Sequence, residues 1–368
     1  MKTILVCGAR PNMMKIAPLL RAIKEYSAQK PTCPITPLLV HTGQHYDYNM
    51  SKVFFQDLEI PDPDIYLGIG GGTQGEQTGK ILIEFEKIAI KEKPDLVVVV
   101  GDVNSTLAAA LASVKLHIPV AHVEAGLRSF DRQMPEEINR ILTDAISDYL
   151  FTPSRDGDEN LRKEGIINKK IFFVGNVMVD SLLYARTKVE QSKILQSLDL
   201  EKKEYALLTL HRPSNVDDEK NLKDIIEALI EISSYISIIF PVHPRTKRNI
   251  EKFSFKKFLL GDNRIIMVEP LGYVDFLATQ MKAKFVLTDS GGIQEETTVF
   301  GIPCITLRSN TERPITITQG TNTLVGTNKQ KMQEAALKIM SGIIKKGSLP
   351  EFWDGKAAER IINILISI

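Results

Sequence analysis

The run Leu96-Val97-Val98-Val99-Val100 contains no polar residue. A strand that is apolar on both faces is buried on both, which happens inside parallel sheets covered by helices on each side. Parallel neighbours need crossover connections of a dozen or more residues, usually helical. The run therefore predicts strands alternating with helices. Further strands are predicted at 3–7, 36–41, 119–123, 150–152 and 171–174, and again at 205–210, 236–242, 265–268, 285–287, 304–307 and 322–325. Helical spacing falls between them at 13–26, 50–58, 76–91, 136–149, 221–233, 293–300 and 355–368, with 61–77 rich in loop residues. Pro18 predicts a kink or a later start in the first helix. Asn104 or Ser105 is the expected cap of an Ala-rich helix that runs to Lys115. The fold class is α/β: two doubly wound, parallel-sheet, Rossmann-like domains facing a cleft. The first covers 1–175, the second covers 176–355, and the C-terminal helix 356–368 packs back on the first.

Charge narrows the function. Lys and Arg total 46 against 45 Asp and Glu, a net charge of +1, which gives no electrostatic case for nucleic acid or an anionic membrane. The three cysteines, Cys7, Cys33 and Cys304, lie far apart without metal-site spacing, and reduced thiols point to a cytoplasmic protein. No apolar run reaches membrane-spanning length.

In doubly wound folds ligands bind beyond the carboxyl ends of strands. The most informative such position is Thr288-Asp289-Ser290-Gly291-Gly292-Ile293-Gln294-Glu295-Glu296. Strand, Ser-Gly-Gly and helix form an anion site: glycines let backbone N–H groups approach a phosphate, and the helix N-terminus adds positive potential. Glu295 and Glu296 sit in the first turn or just after it, where a carboxylate stabilises the helix and can also accept hydrogen bonds from a ribose diol beside the phosphates. Asp102 and Glu124 end adjacent strands, and Glu136 and Arg140 are spaced to share one helix face. On spacing alone Glu136 and Arg140 read as a surface ion pair, and Asp102 as a helix cap. Three carboxylates near strand ends, without cysteine or spaced histidine, suit proton transfer better than metal binding. His211 and Arg212 end the first strand of the second half, and Arg10 and Lys15 can clamp phosphate oxygens.

Taken together, these residues resemble the non-hydrolysing UDP-N-acetylglucosamine 2-epimerase family. The motifs are Gly8-Ala9-Arg10-Pro11-Asn12-Met13-Met14-Lys15, Thr42-Gly43-Gln44-His45, Gly101-Asp102, His122-Val123-Glu124-Ala125-Gly126-Leu127-Arg128, Pro135-Glu136-Glu137-Ile138-Asn139-Arg140, His211-Arg212 and the Asp289–Glu296 stretch. Thr311-Glu312-Arg313-Pro314 and Asp354-Gly355-Lys356-Ala357 extend the likeness over nearly the whole chain. The resemblance implies a glycosyltransferase-B-like architecture with UDP held mainly by the second domain. It implies that Ser290, Gly291 and Gly292 hold the diphosphate and that Glu296 takes the ribose hydroxyls. Arg10 and Arg313 reach the nucleotide, Lys15 lies beside it, and Phe276 sits near the uracil. Asp102, Glu124 and Glu136 surround the sugar with Arg140, and His211 assists departure of UDP. It implies no cofactor, no metal, a UDP-N-acetylhexosamine substrate and a homodimer.

The implied reaction explains the residue set. The C2 proton of the sugar becomes removable once UDP leaves C1, giving 2-acetamidoglucal, and UDP and a proton then add back on the other face of C2. Ala9, Asn12, Tyr46-Asp47-Tyr48 and the short 129–134 segment depart from the commoner family pattern near the sugar. The alternatives are accordingly a 2-epimerase of a modified UDP-2-acetamido sugar, such as a uronic acid, or a UDP-sugar glycosyltransferase.

Overall fold

A computed structural model describes residues 1–43, 58–260 and 264–367, with all their side chains except those of Arg10 and Leu260. The expected helix at 50–58 lies outside the described residues except for Leu58, and Gln44 and His45 lie outside them too. The chain divides into two compact units, Met1–Tyr184 with Glu351–Ile368, and Ala185–Pro350.

The first unit holds a sheet of β1 (Lys2–Cys7), β2 (Thr36–His41), β3 (Ile65–Tyr66), β4 (Leu96–Val100), β5 (Val120–Val123), β6 (Tyr149–Thr152) and β7 (Ile171–Phe173). Its strand order is β3-β2-β1-β4-β5-β6-β7, and every pairing is parallel. The second unit holds β8 (Tyr205–Thr209), β9 (Ser237–Pro241), β10 (Ile265–Val268), β11 (Phe285–Thr288), β12 (Cys304–Thr306) and β13 (Asn322–Leu324). Its order is β10-β9-β8-β11-β12-β13, again all parallel. The fully apolar β4 is central, with all five residues buried. Both sheets reverse direction of growth beside their first strand, between β1 and β4 and between β8 and β11. In doubly wound folds that switch point is where ligands bind.

Some elements differ from the sequence reading, each for a local reason. The first helix runs Arg10–Gln29, earlier than position 13, with Pro11 in its first turn, where a missing N–H costs nothing. It also continues through Pro18. Proline leaves the Met14 carbonyl without its helical donor, and the Ser181 hydroxyl donates to that oxygen at 2.5 Å. Val103, not Asn104 or Ser105, caps the helix Asn104–Lys115. The Asn104 amide instead donates to Gln74 and Gln77. The helix opened by Pro135 stops at Ile146, because Tyr149 already belongs to β6. The two-residue β3 sits within the stretch read as loop and pairs with β2 at Val40 and His41. The helix Arg155–Lys163 carried too few apolar residues to stand out in the sequence.

The C-terminal segment is anchored on the first unit. The Trp353 indole donates to the Pro153 carbonyl at 3.0 Å. Asp180 accepts from the Ala357 and Ala358 amides and so caps the helix Ala357–Ser367. That helix packs on Arg10–Gln29.

Candidate active site

In the first unit the polar groups gather at the β1/β4 switch point. The Asn12 side chain accepts from the Gly8 and Ala9 amides and donates to the Val100 carbonyl, tying the two strand ends together. Gly101 follows with φ +68°, and a Cβ there would stand 2.5 Å from Lys15 Nζ and 3.2 Å from Glu124 Oε2. Only glycine fits, because both the backbone angle and the space exclude a side chain. Lys15 and Glu124 form a buried ion pair against it, the lysine 4% exposed and the carboxylate 5%. Glu124 itself has φ +75°. A non-glycine residue in that region carries strain that its surroundings must hold, and such residues cluster at active sites. The Glu124 and Ala125 amides both donate to the Phe151 carbonyl at 3.0 Å, which supplies the hold.

Asp102 faces the next helix. Its carboxylate pairs with Arg140, and its carbonyl accepts from Asn139 Nδ2 at 2.9 Å. Arg140 pairs with Asp102 and Glu137 rather than taking part in the surface pair expected with Glu136. The reason is burial: the guanidinium is 2% exposed and Glu137 1%, so both charges need partners within the protein. Asp102 is therefore an ion-pair partner, and the helix-cap reading of it is replaced. Burial raises the Glu137 pKa, but the Ser129 and Phe130 amides and Arg140 more than offset that and hold it below the usual range. Glu136 sits half-buried in the first turn of the same helix.

Beneath these groups lies a second charged layer. His122 Nδ1 is 2.6 Å from Asp144, and Nε2 is 2.8 Å from the Gly101 carbonyl. Asp144 also pairs with Arg128 at 2.7 Å, and Arg128 grips Glu164 with two donors. Burial pushes the Asp144 carboxyl up, while His122 and Arg128 bring it below its ordinary value.

In the second unit the groups gather at the β8/β11 switch point. The helix Gly291–Phe300 begins after Ser290, whose amide donates to Thr288 Oγ1 at 3.0 Å. First-turn N–H groups of a helix have no intrahelical acceptor, so Gly291, Gly292 and Ile293 offer donors to an anion. A Cβ at Gly291 would stand 2.6 Å from Arg313 Nη1 and 2.7 Å from Glu312 Oε1. Arg313 bonds Glu312 and Glu295. Arg308 and Arg212 approach Glu312 at 2.8 and 3.6 Å, so three guanidiniums converge on one carboxylate. Burial opposes the Glu312 charge, and the arginines outweigh it, holding the carboxyl well below its usual range.

Asp289 orders the opposite lip. It is fully buried and accepts from His211 Nδ1 at 2.9 Å, from the His211 and Arg212 amides and from Asn215. His211 is 41% exposed at its side chain, so its other ring nitrogen is the one left to work outward. Burial pushes the Glu296 carboxyl up to about 8 against the Tyr273 hydroxyl, which donates to it at 3.3 Å. Its Oε2 has no hydrogen-bond partner among the described residues. An orphaned buried acceptor is costly, and a diol would satisfy it. Phe276 is half-buried against the Tyr205–Val286 cluster.

A model of the UDP-N-acetylglucosamine 2-epimerase family matches residues 29–366. The chain belongs to that family. It is 48% identical to the UDP-N-acetylglucosamine 2-epimerase of Methanocaldococcus jannaschii over 99% of both chains. It is 43% identical to the UDP-2,3-diacetamido-2,3-dideoxy-D-glucuronate 2-epimerase of Pseudomonas aeruginosa over 100% of both. The crystal structure of the M. jannaschii enzyme with UDP-GlcNAc and UDP superposes with a TM-score of 0.91 and covers 100% of each chain. The fold is thus the glycosyltransferase-B-like one of these family members.

Within the family frame, the structure brings Asp102, Glu124, Lys15 and Arg140 to one switch point, and His211, Ser290, Gly291 and Arg313 to the other. The Arg10 side chain lies outside the described set. Spacing alone missed Glu137, Asn139, His122, Asp289 and Glu312, although each stands inside a motif, and Asp144, which stands in none. For Glu137, Asp289 and Glu312 the usable signal was a carboxylate directly beside an assigned residue. Among the described residues no group of three or more His, Cys, Asp or Glu could hold a metal, and no helix is long and apolar enough to cross a membrane.

Proposed function

We propose that this chain is a non-hydrolysing 2-epimerase that interconverts UDP-N-acetylglucosamine and UDP-N-acetylmannosamine. The observation that carries the reading is the 48% identity, over nearly the whole of both chains, to an enzyme named for that activity. The residue chemistry supports it. The second unit holds UDP through Ser290, Gly291, Gly292 and Arg313, with Glu296 on the ribose and Phe276 by the uracil, and Arg10 reaches the nucleotide from the first unit. The first unit supplies Asp102, Glu124 and Glu136, with Arg140 and Lys15 as their cationic companions.

The C1–O bond breaks and UDP departs with the electron pair, helped by His211 and the helix N-terminus. A carboxylate takes the C2 proton, leaving 2-acetamidoglucal. UDP oxygen then adds to C1, and a second carboxyl group delivers a proton to the other face of C2. No electrons leave the substrate, so the scheme uses no redox cofactor. The protein works in the cytoplasm as a homodimer, which light scattering of the purified chain checks.

In D₂O the product should carry deuterium at C2 with UDP still attached, read by proton NMR. A glycosyltransferase would leave protium at C2 and need an acceptor, and a hydrolase would release free sugar. The 43% identity to the diacetamido-glucuronate enzyme favours a second reading, a UDP-2-acetamido sugar oxidised at C6. Exchange with that substrate alone would leave the mechanism standing and change the substrate.

A further inference from the structure

Glu137 has no task in the scheme above, yet its carboxylate is fully engaged. Oε2 accepts from the Ser129 amide at 2.9 Å, the Ser129 hydroxyl at 3.0 Å, Arg140 Nε at 2.9 Å and Arg140 Nη2 at 2.6 Å. Oε1 accepts from the Phe130 amide at 2.8 Å. The remaining terminal nitrogen of the same guanidinium, Nη1, contacts Asp102. One planar group is therefore held between two carboxylates at fixed angles. Exposure rises along the chain of contacts: the side chains are 1% exposed at Glu137, 3% at Arg140 and 28% at Asp102. Only the Asp102 end opens to a substrate.

We propose that Glu137 is a positioning residue that aims the Asp102 carboxylate through Arg140. The proposal rests on the epimerase reading for its kinetic arm. A guanidinium has a rigid fork of donors, so fixing Nε and one terminal nitrogen fixes where the other terminal nitrogen points. Asp102 has its backbone held by Asn139 at one side, and Arg140 selects the direction of its carboxylate. A glutamine at 137 has one acceptor oxygen in place of two. Whichever way it turns, its NH2 meets a donor: the Phe130 amide if the oxygen takes the place of Oε2, or Ser129 and Arg140 if it takes the place of Oε1, and in both cases the charge that holds Arg140 is gone. The fork is then released.

The test is a double-mutant cycle on C2 deuterium exchange with E137Q, R140M and the pair, each also assayed for UDP affinity and melting temperature. E137Q should lower kcat on the order of 10²-fold, the scale of an ångström-level misplacement, with UDP affinity unchanged. In the R140M background the same change should cost little more, because the route through Arg140 is already gone. An equal loss in both backgrounds overturns the proposal, since a purely structural glutamate would act independently of Arg140. R140K covers the case in which E137Q does not fold. It leaves the Ser129-Phe130 anchor intact and keeps the charge, but one ammonium cannot serve both carboxylates in fork geometry. It should lose kcat as E137Q does, and a parental kcat overturns the proposal. Should the parent exchange no UDP-2-acetamido sugar, the functional reading fails, and crystal structures of E137Q and R140K decide the positioning claim. Loss of the contact between residue 140 and Asp102 supports it, and an unchanged contact refutes it.

Discussion

The two switch points use charge in opposite ways. At the β1/β4 end, Asp102 meets Arg140, Glu124 meets Lys15, and beneath them Asp144 meets His122 and Arg128. Each of these carboxylates is held in one direction by a named cation, and Arg140 serves Glu137 as well as Asp102. At the β8/β11 end the charges cluster instead. Three arginines crowd Glu312, and Arg313 also pairs with Glu295, so the donors left for an anion are the first-turn amides of the helix Gly291–Phe300. Glu296, which has no ion pair among the described residues, is pushed up to about 8 by burial. The lesson is that one fold, used twice in a chain, arranges the charges at its strand ends differently: mostly as pairs at the first switch point and as a cluster around Glu312 at the second.

The sharpest way to break this contrast is to neutralise a carboxylate at the first end. Glu124→Gln and Glu136→Gln should each lower the C2 exchange rate by ~10²–10⁴-fold, with UDP affinity by calorimetry nearly unchanged. A variant that keeps half the parental rate removes that residue from the proton-transfer set. Next comes the buried pair. Lys15→Met removes the cation that pairs with the buried Glu124 carboxylate and should cost about 3–5 kcal/mol of stability, read in urea unfolding. Lys15→Met with Glu124→Gln should recover much of it, because no uncompensated charge remains. Failure of that recovery would show that the pair is not what holds this end together.

Smaller effects belong to the second end. Gly291→Val displaces Arg313 and Glu312 and should weaken UDP by ~10–100-fold, the worth of about 1.5–3 kcal/mol of charge-assisted hydrogen bonding. C2 exchange at saturating substrate should fall far less. UDP affinity equal to the parent's would end the glycine-loop assignment. The mildest test is the pH dependence of stability. Glu296 has its folded pKa raised from 4.5 to about 8. The folded state keeps a proton that the unfolded chain has lost, so stability is greatest below 4.5 and declines as pH rises toward 8, by at most about 1.4 kcal/mol per unit. Glu296→Gln should flatten that decline, and an identical slope in both proteins would mean Glu296 does not titrate as described.

The pattern of apolar runs, glycines and prolines was enough to read both sheets except the two-residue β3, because each is a local property of the chain. Leu96–Val100 could only be a strand buried on both faces, and the Ser290-Gly291-Gly292 turn could only open a helix. Strand ends are local too, so Asp102, Glu124 and His211 stood out before any coordinates. Partners are not local. Lys15 and Glu124 are 109 positions apart, and nothing in either neighbourhood names the other. Arg140 is spaced to meet Glu136, but the neighbouring strand end brings Asp102 to it, and a buried guanidinium takes the buried carboxylates. Pro18 signalled a break that Ser181 repairs from another helix. Sequence determined which groups lie at the two strand-end regions; tertiary structure decided which charges neutralise which, because ion pairing within each unit depends on the distances and burial that the assembled sheet sets.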